Sequence, residues 1–262
     1  MRLTTIFLLT LMLFSSISCG DSGVNIFSVQ DDVMLGQQLR DEILADPEKY
    51  PVLDRNSYSS AYNYVQGVVN DILASGEIQY KDEFAWEIYL IDDPETLNAF
   101  AAPGGYIFVY TGILKFLDNK DDFAGVMGHE MAHADRRHST NQLTKQYGIS
   151  LLLSLVSGGD PNTLSQVLAS LVGLKFSRDH ESEADEYSVI YLCETPYAAN
   201  GAASFFEKLI NQGTASPPAF LSTHPNPDDR VSDINMEASE RGCDTTFNSS
   251  ASEWHNFQNL LP

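Results

Sequence analysis

The chain has 262 residues, with 15 Lys and Arg against 36 Asp and Glu, for a net charge of −21. So acidic a surface repels nucleic-acid phosphates, and nucleic acid is set aside as a partner. With 43% hydrophobic residues the chain is expected to fold, and its length suits one large domain or two small ones.

The N-terminus reads MRLTTIFLLTLMLFSSISCG. Arg2 precedes an apolar run from Ile6 to Phe14, too short to span a bilayer and suited to a signal peptide. Ser15, Ser16 and Ser18 then lead into Cys19. This resembles a bacterial lipoprotein signal, with residues 1–18 removed and Cys19 lipidated, although Ser16 stands where leucine is usual. Gly20 points to the outer membrane, and residues 19–28 read as a tether. Cys193 and Cys243 are the remaining cysteines. In an exported chain they suggest a disulfide, with two free thiols as the alternative.

Residues 29–47 carry Val33, Leu35, Leu39, Ile43 and Leu44 at helical spacing, stopped by Pro47. A second helix over 57–74 turns Tyr62, Val65, Val68, Val69 and Ile72 inward. FAWEIYLID reads as a strand. In AFAAPGGYIFVYTGIL, Gly104 and Gly105 make a turn, Tyr106 to Tyr110 a strand, and Thr111 to about Leu117 a short helix. Asn119 caps the next helix, with Asp122 three residues on, and that helix is expected to run to about His138. ISLLLSLVS and TLSQVLASLVGLKF, split by GGDP, read as buried helices, with a membrane-dipping hairpin as the alternative. Helices follow at about 179–194 and 199–211, then a Pro-rich loop, GTASPPAFLSTHPNPDDR. Trp254, Phe257, Leu260 and Leu261 mark a C-terminal packing helix. No repeat and no second domain are evident, so residues 29–262 read as one domain.

The chemistry concentrates in GVMGHEMAHADRRH, residues 125–138. Residues four apart on a helix sit nearly above one another, about 6 Å apart, so His129 and His133 can present two imidazoles to one ion. Glu130 points about 100° round the helix, beside such an ion. This is the logic of an HExxH zinc motif. The small residues Gly125 and Gly128 would let another backbone or a ligand come close. A catalytic zinc takes three protein ligands and keeps one open position. SRDHESEADEYS offers Glu181 and Asp185, four apart; one could bind the metal while the other accepts a ligand histidine's ring N–H. The simpler reading is an acidic helix face. His138 and His180 read as polar helix-end residues.

GHEMAH, ESEAD, STHPNPDDR and NAFAAPGGYIFVYTGIL follow the order and spacing of a known family. Over roughly residues 30–235 the chain resembles the HtpX-like and CAAX-prenyl-endopeptidase-like zinc metallopeptidases, which are gluzincins. The resemblance implies an α+β, mainly helical, zincin-like domain with a small sheet beside the zinc helix. It implies one zinc per chain held by His129, His133 and Glu181, with Glu130 as catalytic base and Asp185 orienting a ligand histidine. It makes His224 and Arg230 candidates for contacting the substrate or the oxyanion; the simpler readings are a loop cap for His224 and an ion pair with Asp228 or Asp229 for Arg230. His224 could instead take the fourth zinc position and hold the enzyme latent. Asn98 would lie near the substrate. The strand from Tyr106 to Tyr110, with Gly104 and Gly105 allowing close backbone approach, reads as an edge on which a substrate could pair, with a core hairpin as the alternative. The expected function is a zinc endopeptidase of the bacterial envelope, lipid-anchored in the outer membrane and facing the periplasm. Its partners would be misfolded or unassembled exported proteins and the outer-membrane assembly machinery. The alternative is a zinc-stabilised chaperone or assembly factor with little turnover.

Overall fold

The computed structural model describes residues 27–211, 219–225 and 229–262. The expected export signal, Cys19 and most of the tether lie outside these residues. The last two tether residues, Phe27 and Ser28, belong to the folded domain. Phe27 is buried, and Ser28 caps helix α1 (Val29–Ala45), its hydroxyl accepting from the Asp31 N–H while the Asp31 carboxylate accepts from the Ser28 N–H. This reciprocal pair satisfies N–H groups that the helix cannot.

Helix α2 (Ser59–Ala74) leads to a three-stranded sheet of β1 (Glu87–Ile91), β2 (Ala99–Ala102) and β3 (Tyr106–Tyr110), in the order β1-β3-β2. β3 runs parallel to β1 and antiparallel to β2, and a short turn at Pro103–Gly105 joins it to β2. Side chains alternate across the sheet. Ile88, Leu90, Ala99, Ala101, Ile107 and Val109 enter one core, and Tyr89, Ile91, Phe100, Tyr106, Phe108 and Tyr110 enter the other. Both faces are therefore covered, which is why the strands read as apolar runs.

After α3 (Thr111–Phe116) comes α4 (Lys120–Asp135), capped by the Asn119 side chain, which accepts from the Asp122 N–H at 2.9 Å. Every residue of α4 from Asp121 to Asp135 is buried. Its acidic ends are paid in hydrogen bonds: Asp121 accepts from the Ala198 and Ser249 N–H groups, and Asp135 from those of Gln79 and Tyr80 and from the Tyr191 hydroxyl.

The chain does not continue as one helix to His138. Arg137 adopts a left-handed conformation, φ 59° and ψ 32°, and a separate α5 (His138–Tyr147) begins. Such a conformation costs a non-glycine residue about 1–2 kcal/mol. Arg137 is held there by ion pairing with the buried Asp32 and by donating to the Phe27 and Ser28 carbonyls of the α1 entry. That partner lies 105 residues away in sequence.

α6 (Ile149–Val156) and α7 (Pro161–Val172) pack on α1, burying Leu152, Leu155, Val167, Leu168 and Leu171. Among the described residues no helix is long and apolar enough to cross a membrane. α8 (Arg178–Cys193) and α9 (Gly201–Asn211) flank α4. The α4–α9 crossing is unusually close: a Cβ on Gly125 would stand 2.1 Å from the Ala202 nitrogen, and one on Gly201 would stand 2.2 Å from the Asp121 oxygen. Gly128 meets the Ser188 side chain of α8. These glycines admit neighbouring elements of the chain itself. α10 (Ala219–Thr223) is a helical turn inside the Pro-rich stretch expected to be loop. α11 (Arg230–Arg241) follows, then α12 (Ala251–Gln258), which buries Trp254 and Phe257.

A Cys193–Cys243 disulfide, Cα–Cα 5.0 Å, ties the end of α8 to the residue after the α11 cap. It closes a loop with a sequence separation of 50, for which chain entropy gives about 4 kcal/mol of stabilisation. Replacing both cysteines by serine should lower unfolding stability by up to about that amount, measured by denaturant titration of the oxidised protein. Two thiols reacting freely in the native protein would contradict the bridge.

Candidate metal centre

Three segments converge on one point. α4 supplies His129, Glu130 and His133, one turn of α8 supplies Glu181 and Asp185, and the residue after α10 is His224. Ser177 caps α8, accepting from the His180 N–H at 3.2 Å, and so sets where its first turn points. Ligand atoms of His129, His133, Glu181 and His224 all lie within 4.8 Å of one another. Nε2 of His129 is 3.0 Å from Nε2 of His133 and 3.3 Å from Nδ1 of His224. Glu181 Oε1 is 3.1 Å from His224 Nδ1 and 3.5 Å from His133 Nε2.

Behind these groups His129 Nδ1 meets Asp185 Oδ1 at 2.9 Å. Arg230, 2% exposed, donates through Nε and Nη2 to the two Asp185 oxygens at 2.5 and 2.6 Å, and its Nη1 lies 3.0 Å from Glu181 Oε2. The guanidinium also rests over the Phe206 ring. Aromatic rings line the opposite wall, with Phe176 stacked on His133 and Phe220 on His224.

A family model described as Peptidase family M48 matches residues 59–238, more than half of the chain. The chain belongs to peptidase family M48. It is 32% identical to the mitochondrial metalloendopeptidase OMA1 of Schizosaccharomyces pombe over 185 residues, 68% of this chain and 53% of that protein. It is 28% identical to a putative beta-barrel assembly-enhancing protease of Vibrio cholerae over 190 residues, 67% of this chain and 38% of that one. The Escherichia coli K12 beta-barrel assembly-enhancing protease is 28% identical over 173 residues, 59% of this chain and 35% of its own length. The chain thus spans about half or less of these relatives.

M48 metallopeptidases use zinc, and the donors present here fit it. With zinc–nitrogen distances near 2.0–2.1 Å, the edge of a tetrahedron is about 3.4 Å. Four of the six donor pairs stand 3.0 to 3.5 Å apart, close to that edge, and all six lie within 4.8 Å. Charge points the same way. Glu130, Glu181 and Asp185 are buried against one buried guanidinium, Arg230, and a divalent cation balances the remainder.

Electrostatics separates the two motif histidines. Burial opposes a charged imidazole at His129, yet hydrogen bonds to Asp185 and Glu181 raise it to about 9. Desolvation pushes His133 well below the ordinary value. Burial would raise Glu181, but the surrounding imidazoles hold it well below the carboxylate range. Glu130 is raised by burial, and neither of its oxygens has a hydrogen-bond partner among the described residues.

The expected site residues take these positions. Each nitrogen of Arg230 lies near a carboxylate of Asp185 or Glu181, Nη2 also stands 3.2 Å from His129 Nδ1, and Nη1 has no hydrogen-bond partner among the described residues. Among the described residues Arg230 forms no ion pair with Asp229, one of its two simpler candidate partners; the other, Asp228, lies outside them. β3, with Tyr106, is the central strand and cannot be the substrate edge; the edge beside α4 is β2. Gly104 and Gly105 admit α1 and the Ala85–Trp86 backbone, and Tyr106 lies under Arg40. Asn98 is buried next to Thr223, whose hydroxyl donates to its side-chain oxygen at 3.4 Å. His138, expected to be an incidental helix-end residue, contacts His133 directly at 3.0 Å.

Metal binding should release a proton. Below about pH 9 metal-free His129 is protonated, and a metal must displace that proton. Zinc affinity should therefore fall about tenfold per unit as pH drops below this value. Calorimetry in buffers of different ionisation heat should give close to one proton released at pH 7, and no release would contradict the assignment. Glu181→Ala should lose the metal by elemental analysis.

Proposed function

We propose that the chain is a zinc-dependent metalloendopeptidase of the bacterial cell envelope, acting on extended segments of misfolded or unassembled exported proteins. The observation that carries this reading is Glu130. It is a buried carboxylate with neither oxygen hydrogen-bonded among the described residues, beside a complete ligand set. A metal site that served only to stabilise a fold would have no use for it. The envelope location rests on the lipoprotein-like N-terminus and on the assembly-enhancing proteases among the relatives. Lipidation at Cys19 and outer-membrane placement belong to the same proposal, as does membership of an exported subgroup of the family.

Zinc, when bound, supplies a Lewis acid that polarises a scissile carbonyl and acidifies a water. The protein's part is proton management and orientation. Glu130 takes the proton from water and delivers it to the departing amide nitrogen. Its burial-raised pKa brings it closer to working pH, where a general base is most effective. Asp185 accepts the Nδ1–H of His129 and fixes its tautomer. Arg230 holds Asp185 and Glu181 in register.

We read the described conformation as latent: His224 Nδ1 would stand as a fourth donor beside those of His129, His133 and Glu181, and its Nε2 sits 3.5 Å from Glu130 Oε1. All five side chains at the centre are at most 1% exposed. α10 is fastened across the approach: the Phe220 N–H donates to the Leu97 carbonyl just before β2, and the Phe176 N–H donates to the Thr223 carbonyl. Displacing α10 would uncover Glu130 and the end of β2 together, leaving an edge on which an extended peptide can pair.

Glu130→Gln should retain one zinc and lose casein cleavage by about 10²-fold or more; equal cleavage by the variant and the parent protein would end this reading. His224→Ala should keep zinc on three ligands and raise basal cleavage of an unfolded substrate. A fall of about 10²-fold in kcat would instead assign His224 to the transition state.

A further inference from the structure

On a continuous helix, residues five apart point about 140° away from each other. His133 and His138 nonetheless meet, because the left-handed Arg137 ends α4 and re-aims the chain. The bend is clamped by Asp32, which also accepts from the Thr140 hydroxyl at 2.6 Å. As a result His138, 1% exposed, places its Nδ1 3.0 Å from Nδ1 of His133. Its Nε2 lies 3.2 Å from Glu183 Oε2, and Glu183 Oε1 accepts from Arg136 Nε at 2.8 Å. The His138 ring is stacked on His180 at 4.3 Å and 11°, which fixes its plane.

The protons in this chain have one consistent arrangement. His133 turns Nε2 toward the other ligand atoms, so its hydrogen resides on Nδ1. Two facing nitrogens can share only one hydrogen, so His138 Nδ1 accepts. The His138 hydrogen then resides on Nε2 and is donated to Glu183. Each hydrogen bond sets the tautomer of the next ring. His129 obtains the same service directly from Asp185.

We propose that Glu183 and His138 form a positioning relay for His133, holding its ring and tautomer ready for the metal. This rests on the reading of His129, His133 and Glu181 as zinc ligands. Outer partners of metal-bound histidines typically contribute about 10–100-fold in metal affinity. The relay therefore predicts a loss of that order in His138→Leu, which keeps bulk and removes the acceptor. His138→Asn, whose side-chain oxygen can stand near the position of Nδ1, should recover most of the affinity. Glu183→Gln should lose less than His138→Leu, because the amide oxygen still accepts.

The test is zinc affinity of the full chain, by competition with a chelator of known strength, together with the visible spectrum of the cobalt-substituted protein. Thermal unfolding of the metal-free forms serves as a control for folding. His138→Leu binding zinc as tightly as the parent would overturn the relay. So would an affinity loss that His138→Asn fails to recover. If His138→Leu does not fold, Glu183→Ala decides, because it removes the group that accepts the His138 hydrogen: an unchanged cobalt spectrum and zinc affinity in that variant would overturn the proposal. His133→Ala separates the two layers of inference. Undiminished zinc binding in that variant removes the ligand assignment itself, whereas the expected loss there with none in His138→Leu removes the relay alone.

Discussion

Burying His129, Glu130 and His133 on one helix obliges the surrounding elements to supply charge and hydrogen bonds. Polar groups taken from water without partners are costly, and charged ones more so. α8 answers with Glu181 and Asp185, and those carboxylates in turn require Arg230. The centre is thus built outward from α4, each layer satisfying the one inside it. Glu130 has neither oxygen hydrogen-bonded among the described residues, and Glu181 Oε2, His224 Nε2 and Arg230 Nη1 are likewise without hydrogen-bond partners there. An unsatisfied buried carboxylate is tolerated where chemistry uses it.

The same arrangement explains why α4 has no polar face. It is enclosed by α8, α9, the sheet and α2, and the charges at its two ends are bonded to loops and hydroxyls instead of water. Positions that would be solvent-facing on an ordinary surface helix are here taken up by close crossings.

Local signals were legible in the sequence. The Asn119 cap, the His129–His133 spacing and the strand at Tyr106–Tyr110 each depend on residues within one or two turns of each other. The features that escaped it depend on distant partners. Nothing near Arg137 announces a left-handed residue; the reason is Asp32, on α1. β2 is four residues of Ala-Phe-Ala-Ala, and only pairing with β3 makes it a strand. With β2 hidden, the sequence presents β3 as an edge. α10 lies among prolines and is held by the Leu97 and Phe176 backbones. α11 carries a signal, Val231, Ile234 and Ala238 at helical spacing before Gly242. Arg230 stands out in the sequence, but its partners cannot be read from Asp228 and Asp229 beside it, because they come from α8.

The Gly125–Gly201 crossing bears on how genetic tolerance should be interpreted. Neither residue touches the metal-binding groups, yet a single methyl at either would collide with backbone that cannot swing aside. A saturation screen scored by growth or activity would rank these two positions alongside the histidines. The distinction would surface only in yield of folded polypeptide, where a lost ligand leaves the scaffold standing and a lost glycine pries apart its central pair of helices.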